Sequence, residues 1–219
     1  MLTNEDLLNW FYDLKKIIFD TKISIDNIKR ITHPTNDLEK HVLKHGFFHY
    51  VYFQSRFTIV VQLCKIFDEN DNQKRNFFKL FNKLSFDKYD ESIIEILKMN
   101  EVSNHLFAKR KDITNEINLL TKEIEIQKEI IDKIVFLRDK VYAHSDPDSN
   151  LPDVSNQELE VLIDLAIKIY NNLFYKFYTG TLMFEHTTDW KVDYPIKALA
   201  KLRKERLDQL SHKSNKNNP

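Results

Sequence analysis

The sequence predicts an all-α protein, an antiparallel up-and-down helical bundle in which one long helix carries the most distinctive residues. Three observations predict it. The 219 residues include two glycines and five prolines, too few for the turns of a strand-rich chain. Apolar residues recur in steps of three, four and seven through most of the chain, which is the period of an amphipathic helix. Forty-two per cent apolar with 30 per cent charged residues suits helices that bury one stripe and wet the other.

The elements follow in order. A first helix is expected over 4–31, with Leu7, Phe11, Leu14, Ile18 and Ile25 on one face. His33-Pro34 ends it, because the residue before proline is pushed out of the helical region. A second starts near Asn36 or Asp37 and runs through Phe47, Phe57 and Val60 to about Asp68-Glu69-Asn70. Shorter helices are expected over 73–84 and 91–98. The longest spans 112–143, where Ile113, Ile117, Leu120, Ile124, Ile131, Ile134 and Leu137 keep the period. Its 32 residues would make a rod of about 48 Å, stopped by Asp146-Pro147-Asp148. Ser155-Asn156-Gln157-Glu158 is a capping-box pattern that opens a helix through Tyr178, with Gly180 placed to stop it. A last helix is expected over 195–210, with Pro195 in its first turn. Residues 1–190 thus form the bundle, and 191–219 a C-terminal basic helix and polar tail.

Net charge is zero, which argues against a protein that coats nucleic acid generally. The charge is uneven. Residues 191–219 hold eight Lys and Arg against three Asp and Glu, a net of +5, so the remainder is −5. The single cysteine, Cys64, cannot pair within the chain and lies in the apolar run Ile59–Phe67, which reads as core. The N-terminus is acidic, without a basic-then-apolar leader pattern, and no run of 18 apolar residues exists. Those features point to a cytoplasmic protein with no membrane partner.

Arg138 and His144 are the pair that carries chemistry. Imidazole moves protons near neutral pH, and guanidinium holds the charge that builds on a phosphate. Together they suffice to cleave a phosphodiester without a metal or another cofactor. Spacing alone does not select them: a chain of this composition holds about one such pair by chance, and Arg206 and His212 have the same separation. Arg206 lies in a polar tail, whereas Arg138 lies between two apolar helices that can wall a pocket.

An arginine followed by an aspartate, then a histidine six positions after the arginine at the end of a long helix, resembles the HEPN superfamily. More narrowly, Phe136-Leu137-Arg138-Asp139-Lys140-Val141-Tyr142-Ala143-His144-Ser145-Asp146 looks like the U-type abortive-infection branch. The upstream Leu63-Cys64-Lys65-Ile66-Phe67-Asp68 is similar to that branch's early helix. The resemblance implies a HEPN-like bundle and a metal-independent endoribonuclease of a defence or toxin–antitoxin system. It implies a homodimer with the motif helices facing each other, and an antitoxin or other defence-system protein as a further partner. On that reading His144 acts as acid or base on RNA and Arg138 binds the scissile phosphate. Asp139 orients one of them, Lys140 adds a phosphate contact, and Tyr142 borders the site.

Helix geometry points to a dimer independently. Six positions place His144 about 240° around the axis from Arg138 and about 9 Å along it. One straight helix cannot turn both toward one phosphate, but two motifs across a two-fold axis can supply one residue each. Two alternatives stay open: a catalytically inactive helical dimer that serves as an adaptor, and a nucleotide- or RNA-binding module. They turn on whether Arg138 and His144 face a shared groove, and the adaptor gains if Arg138 is buried in an ion pair with its own chain.

Other constellations read as structure. His41, His45 and His49 fall at i, i+4 and i+8, one stripe of a helix; two could hold zinc, but a site needs three or four ligands. The stripe reads as packing or cleft lining, with Arg56 two turns beyond it. Tyr170, Phe174, Tyr175, Phe177 and Tyr178 have the spacing of a core face rather than of a base-stacking platform.

Overall fold

The computed structural model describes residues 1–69, 75–86, 89–101, 103, 105–142, 152–184 and 191–216, with the main chain alone for 141–142 and 213–216. Among these, nine α-helices and one π-helical turn are present, and the one β feature is an isolated bridge between Leu2 and Tyr89. The helices are α1 (Asn4–Thr32), α2 (Asp37–Val42), α3 (Gly46–Phe67), α4 (Phe77–Ser85), α5 (Glu91–Asn100), α6 (Arg110–Ile126), α7 (Lys128–Leu137), α8 (Asn156–Tyr178) and α9 (Asp193–Lys216). The π turn covers Arg138–Tyr142. The all-α class read from the sequence is the class observed.

The chain divides into two compact units. The first comprises Met1–Lys22 and Thr58–His186, the second Ile23–Phe57 and Thr187–Pro219. Helix α9 therefore groups with the segment carrying α2 and the first half of α3.

In the first unit each helix buries the stripe its sequence marks. Phe77, Leu80, Phe81 and Leu84 of α4 are all buried, as are Ile113, Ile117, Leu120 and Ile124 of α6. The aromatics of α8 build core except Tyr175, which is exposed: Phe11 of α1 meets the rings of Tyr170, Phe174 and Tyr178 edge-on at 5.5, 5.2 and 6.0 Å. Such edge-to-face contacts add to simple area burial. The Tyr178 hydroxyl donates to Asn4 Oδ1 at 2.7 Å, and burial drives its phenol well above the usual tyrosine range. The capping box at Ser155 and Glu158 is formed as expected.

Four expectations about the elements are corrected. The second helix is two helices, since Lys44 and His45 donate to carbonyls three residues back and α3 restarts at Gly46. The gain from the break is packing. Leu43 and Phe48 lie five positions apart, which a continuous helix would turn about 140° away from each other; here both join one buried cluster with Ile196. The histidine stripe is thereby dissolved, with His41 on α2, His45 between helices and His49 on α3. Among the described residues no group of three or more His, Cys, Asp or Glu could hold a metal ion.

The long rod is interrupted at Gln127, whose N–H donates to Ile124 O, and its last described turn is π rather than α. No proline or glycine marks either irregularity, so the periodicity ran through them. The expected stop at 146–148 lies outside the described residues. Thr179 rather than Gly180 takes the left-handed conformation that ends α8, with φ 57° and its N–H donating to Tyr175 O at 2.8 Å. Gly180 serves close approach instead, because a Cβ there would sit 2.9 Å from the Phe174 ring. Helix α9 runs six residues past its expected end at Leu210, to Lys216.

In the second unit Arg30 pairs with Glu39 at 2.7 Å and Asp193 at 2.5 Å, tying α1, α2 and the start of α9 together. Burial raises the Glu39 carboxyl, but Arg30 and the Thr35 N–H and hydroxyl outweigh it and leave it below the usual carboxylate range.

Candidate active site

Helix α3 ends at Phe67, and Asp68 lies one residue past it. The main chain of Asp68 is fixed on both sides. Its N–H donates to Cys64 O at 3.0 Å, and its carbonyl accepts Asn76 Nδ2 at 2.7 Å. Asn76 is fully buried and also caps α4, accepting the Lys79 N–H at 2.8 Å. One buried asparagine therefore satisfies orphan groups at two helix ends. Phe67 packs on Phe77 with ring centroids 5.5 Å apart, which locks the same junction.

Arg138 approaches from the other side. Leu137 is buried and anchors the end of α7, and Arg138 opens the π turn. Such irregular turns occur often at functional sites, where they re-aim side chains that a regular helix would carry elsewhere. Arg138 Nη1 donates to Asp68 Oδ2 at 2.7 Å, and Nε donates to Asp139 Oδ1 at 2.7 Å. The Arg138 side chain is 18% exposed and that of Asp68 13%, while Asp139 is about half exposed. The hydrogen bond to Asp139, and then the one to Asp68, hold the guanidinium charged beyond its ordinary range against the opposing effect of burial.

Of the five guanidinium N–H groups, these hydrogen bonds engage one on Nε and one on Nη1 among the described residues. Two carboxylates against one guanidinium also leave a local charge of −1 before Lys140 is counted. Lys140 is exposed two positions along the π turn. Cys64 lies beneath the pair, fully buried. Burial pushes its thiol up to about 12 despite the nearby guanidinium, so it is no nucleophile near neutral pH.

A groove of about 490 Å³ opens beside Asp68, lined by Phe67, Glu125, Lys128, Ile131 and Asp132 among others. Its rim has four carboxylates, Asp68, Glu69, Glu125 and Asp132, against one ammonium, Lys128. Such a lining is net acidic and does not favour a polyanion.

The structure thus brings Arg138 and Asp139 together and sets Lys140 close by. His144 and the Tyr142 side chain lie outside the described residues. Sequence reasoning missed Asp68 and Asn76 as parts of the site. The signal for Asp68 was its place at the end of Leu63–Asp68, the second stretch that carried the family resemblance, which the ion pair joins to the Arg138 run.

A family model described as HEPN_AbiU2 (AbiU2) matches residues 5–194. The chain belongs to this family. HEPN_AbiU2 is a HEPN-type abortive-infection family, and its match covers both stretches that meet at the Asp68–Arg138 pair. No curated protein and no solved structure matches the chain. Among the described residues of this HEPN_AbiU2 protein no helix is long and apolar enough to cross a membrane.

Proposed function

We propose that the protein is a metal-independent endoribonuclease of a defence system, abortive infection or toxin–antitoxin, with Arg138 of one protomer and His144 of another forming a composite RNA-cleaving site. HEPN_AbiU2 membership supports the class of chemistry. That membership is the observation that carries the reading; the clamped guanidinium is compatible with it, although an ion pair within its own chain suits the adaptor as well. Arg138 is oriented by Asp68 and Asp139 at 2.7 Å each. A donor held in advance stabilises charge developing on phosphate without reorganising in the transition state. His144 moves the protons, taking one from the 2′-hydroxyl and returning one to the leaving oxygen. Lys140 offsets the acidic partners of Arg138 as RNA approaches. RNA, a second copy of the chain and an antitoxin or other defence-system protein are the partners this reading requires.

The same ion pair supports a second reading. Two carboxylates on Arg138 also suit an arginine whose work is structural, in a catalytically silent dimer that serves as an adaptor. Cleavage of total RNA by purified protein in EDTA separates the two. The wild type is expected to cleave, and His144→Ala and Arg138→Ala to lose at least 10²-fold in rate. Equal silence of all three over several RNA pools and protein concentrations refutes the nuclease and leaves the adaptor.

A further inference from the structure

The two units carry opposite charge. The second holds 13 Lys and Arg against seven Asp and Glu, a net of +6, so the first is −6 in a chain of net zero. Arg138 belongs to the acidic unit, where it meets two carboxylates near a groove with an acidic lining. A unit of that sign repels a polyanion, and a basic surface gathers one.

The basic unit has a groove suited to anions. It is about 580 Å³ in volume and is lined by His41, Lys44, His45, Phe47, Leu199 and Arg203 among others; among the described residues this lining holds no Asp or Glu. The break between α2 and α3 sets His41 of one helix in the same groove as His45 and Phe47 at the start of the next. The Phe47 N–H donates to His45 Nδ1 at 3.2 Å, so the neutral imidazole carries its proton on Nε2 as a donor. Two carboxylates of this unit, Glu39 and Asp193, are already paired with Arg30. Helix α3 contains no acidic residue from Gly46 to Phe67, so no carboxylate of its own opposes its positive end. From the groove, Phe47, Tyr50 and Phe53 recur every three residues along α3, and Tyr50 and Phe53 are each 63% exposed. A cationic groove that runs into exposed rings is the pattern that holds single-stranded nucleic acid, with cations on the backbone and bases stacked on the rings. An acidic peptide would match Lys44 and Arg203, but only a nucleotide offers a flat π face beside each phosphate.

We infer that this groove of α2, α3 and α9, with the rings that lead from it, is a docking site for single-stranded RNA in a different unit from the residues proposed to cut. Arg203 holds a phosphate through paired N–H donors, and Lys44 holds one as a point charge. His41 and His45 each add a ring N–H, and Phe47 and Tyr50 stack on bases. Lys201, Lys204 and Arg206 against Glu205 and Asp208 extend the positive field along α9. Binding by charge and stacking reads no base edges, so it tolerates sequence and weakens with salt. The inference rests on the nuclease reading for RNA as the ligand, and needs no cleavage.

Fluorescence anisotropy of a short labelled single-stranded RNA tests it, with circular dichroism to show that helicity is retained. The full chain carries His144→Ala and the buffer EDTA, so that the probe stays whole. This protein is expected to bind at micromolar concentration in about 50 mM salt. Lys44→Glu with Arg203→Glu on that background is expected to weaken binding at least about tenfold and to lower the salt slope by about 1.4, the share of two phosphate contacts. Tyr50→Ala, which removes only an exposed ring, should weaken it about fivefold or more. Lys122→Glu, at an exposed lysine of the acidic unit, should bind within about twofold of its parent. Affinity weaker than about 100 μM at that salt overturns the inference. So does unchanged binding in the charge-reversed pair or in Tyr50→Ala. An equal loss in Lys122→Glu overturns it by assigning binding to overall charge. A polyglutamate peptide that competes as well as RNA overturns it in favour of an acidic protein partner. RNA bound here yet never cut by the wild type refutes the nuclease reading and leaves this one standing. RNA that is cut while the charge-reversed pair binds unchanged does the reverse.

Discussion

Removing Asp68 tests how Arg138 is held. The carboxylate accepts a charge-assisted hydrogen bond at 2.7 Å from a guanidinium that is 18% exposed. Such a bond contributes about 1.5–3 kcal/mol. In Asp68→Ala the arginine keeps Asp139 and some solvent, so it is not stranded, and the expected loss is about 2 kcal/mol. Arg138→Ala removes the same bond from the Asp68 carboxylate together with the one to Asp139, for about 2–3 kcal/mol. The bond from Asn76 goes to the Asp68 main chain and survives in both variants. The double variant should lose less than the sum, with a coupling of about 1.5 kcal/mol. Urea and thermal unfolding of the four proteins read this directly, and 2 kcal/mol corresponds to roughly 4–8 °C for a chain of this length. A coupling under about 0.5 kcal/mol would refute the reasoning, since non-interacting sites add to within that margin.

Two further outcomes follow from local geometry. Thr179 holds φ 57° with a β-branched side chain, so Thr179→Gly is expected to stabilise by about 0.5–1 kcal/mol in thermal unfolding; a lower melting temperature would mean that the hydroxyl bond to Tyr178 O outweighs the strain. The Glu39 and Asp193 carboxyls both sit below their usual range, Glu39 against burial through Arg30 and Thr35, Asp193 through Lys197 and then Arg30. Depressed carboxyls contribute stability that is present above their unfolded values and lost as pH falls through the folded ones, so melting temperature should drop below about pH 4. Glu39→Gln should flatten that drop, and an unchanged pH profile in the variant would assign the loss to other groups.

The candidate site was half legible. Arg138, Asp139 and Lys140 are contiguous, so a motif reading finds them together whatever the fold. Asp68 is 70 positions from Arg138; the family resemblance marked its stretch, but no local pattern in either segment pairs the two. Asn76 was invisible for another reason: the expected helix over 73–84 placed it inside the element, whereas it caps α4 at Phe77, and its second bond to Asp68 O exists only once α3 and α4 are packed.

By itself the sequence determined most helices and their buried faces, because the 3.6-residue period and the cap at Ser155 act over one or two turns. It also determined the family, through residues close together in the chain. Tertiary structure alone decided where helices break. The stop at Leu43–His45 puts Leu43 and Phe48 on one core with Ile196, about 150 residues away, and no local preference contains that information. The π turn at Arg138 and the clamp on its side chain were decided the same way, since a helix end yields to what it packs against and a charged side chain to the carboxylates the fold sets beside it.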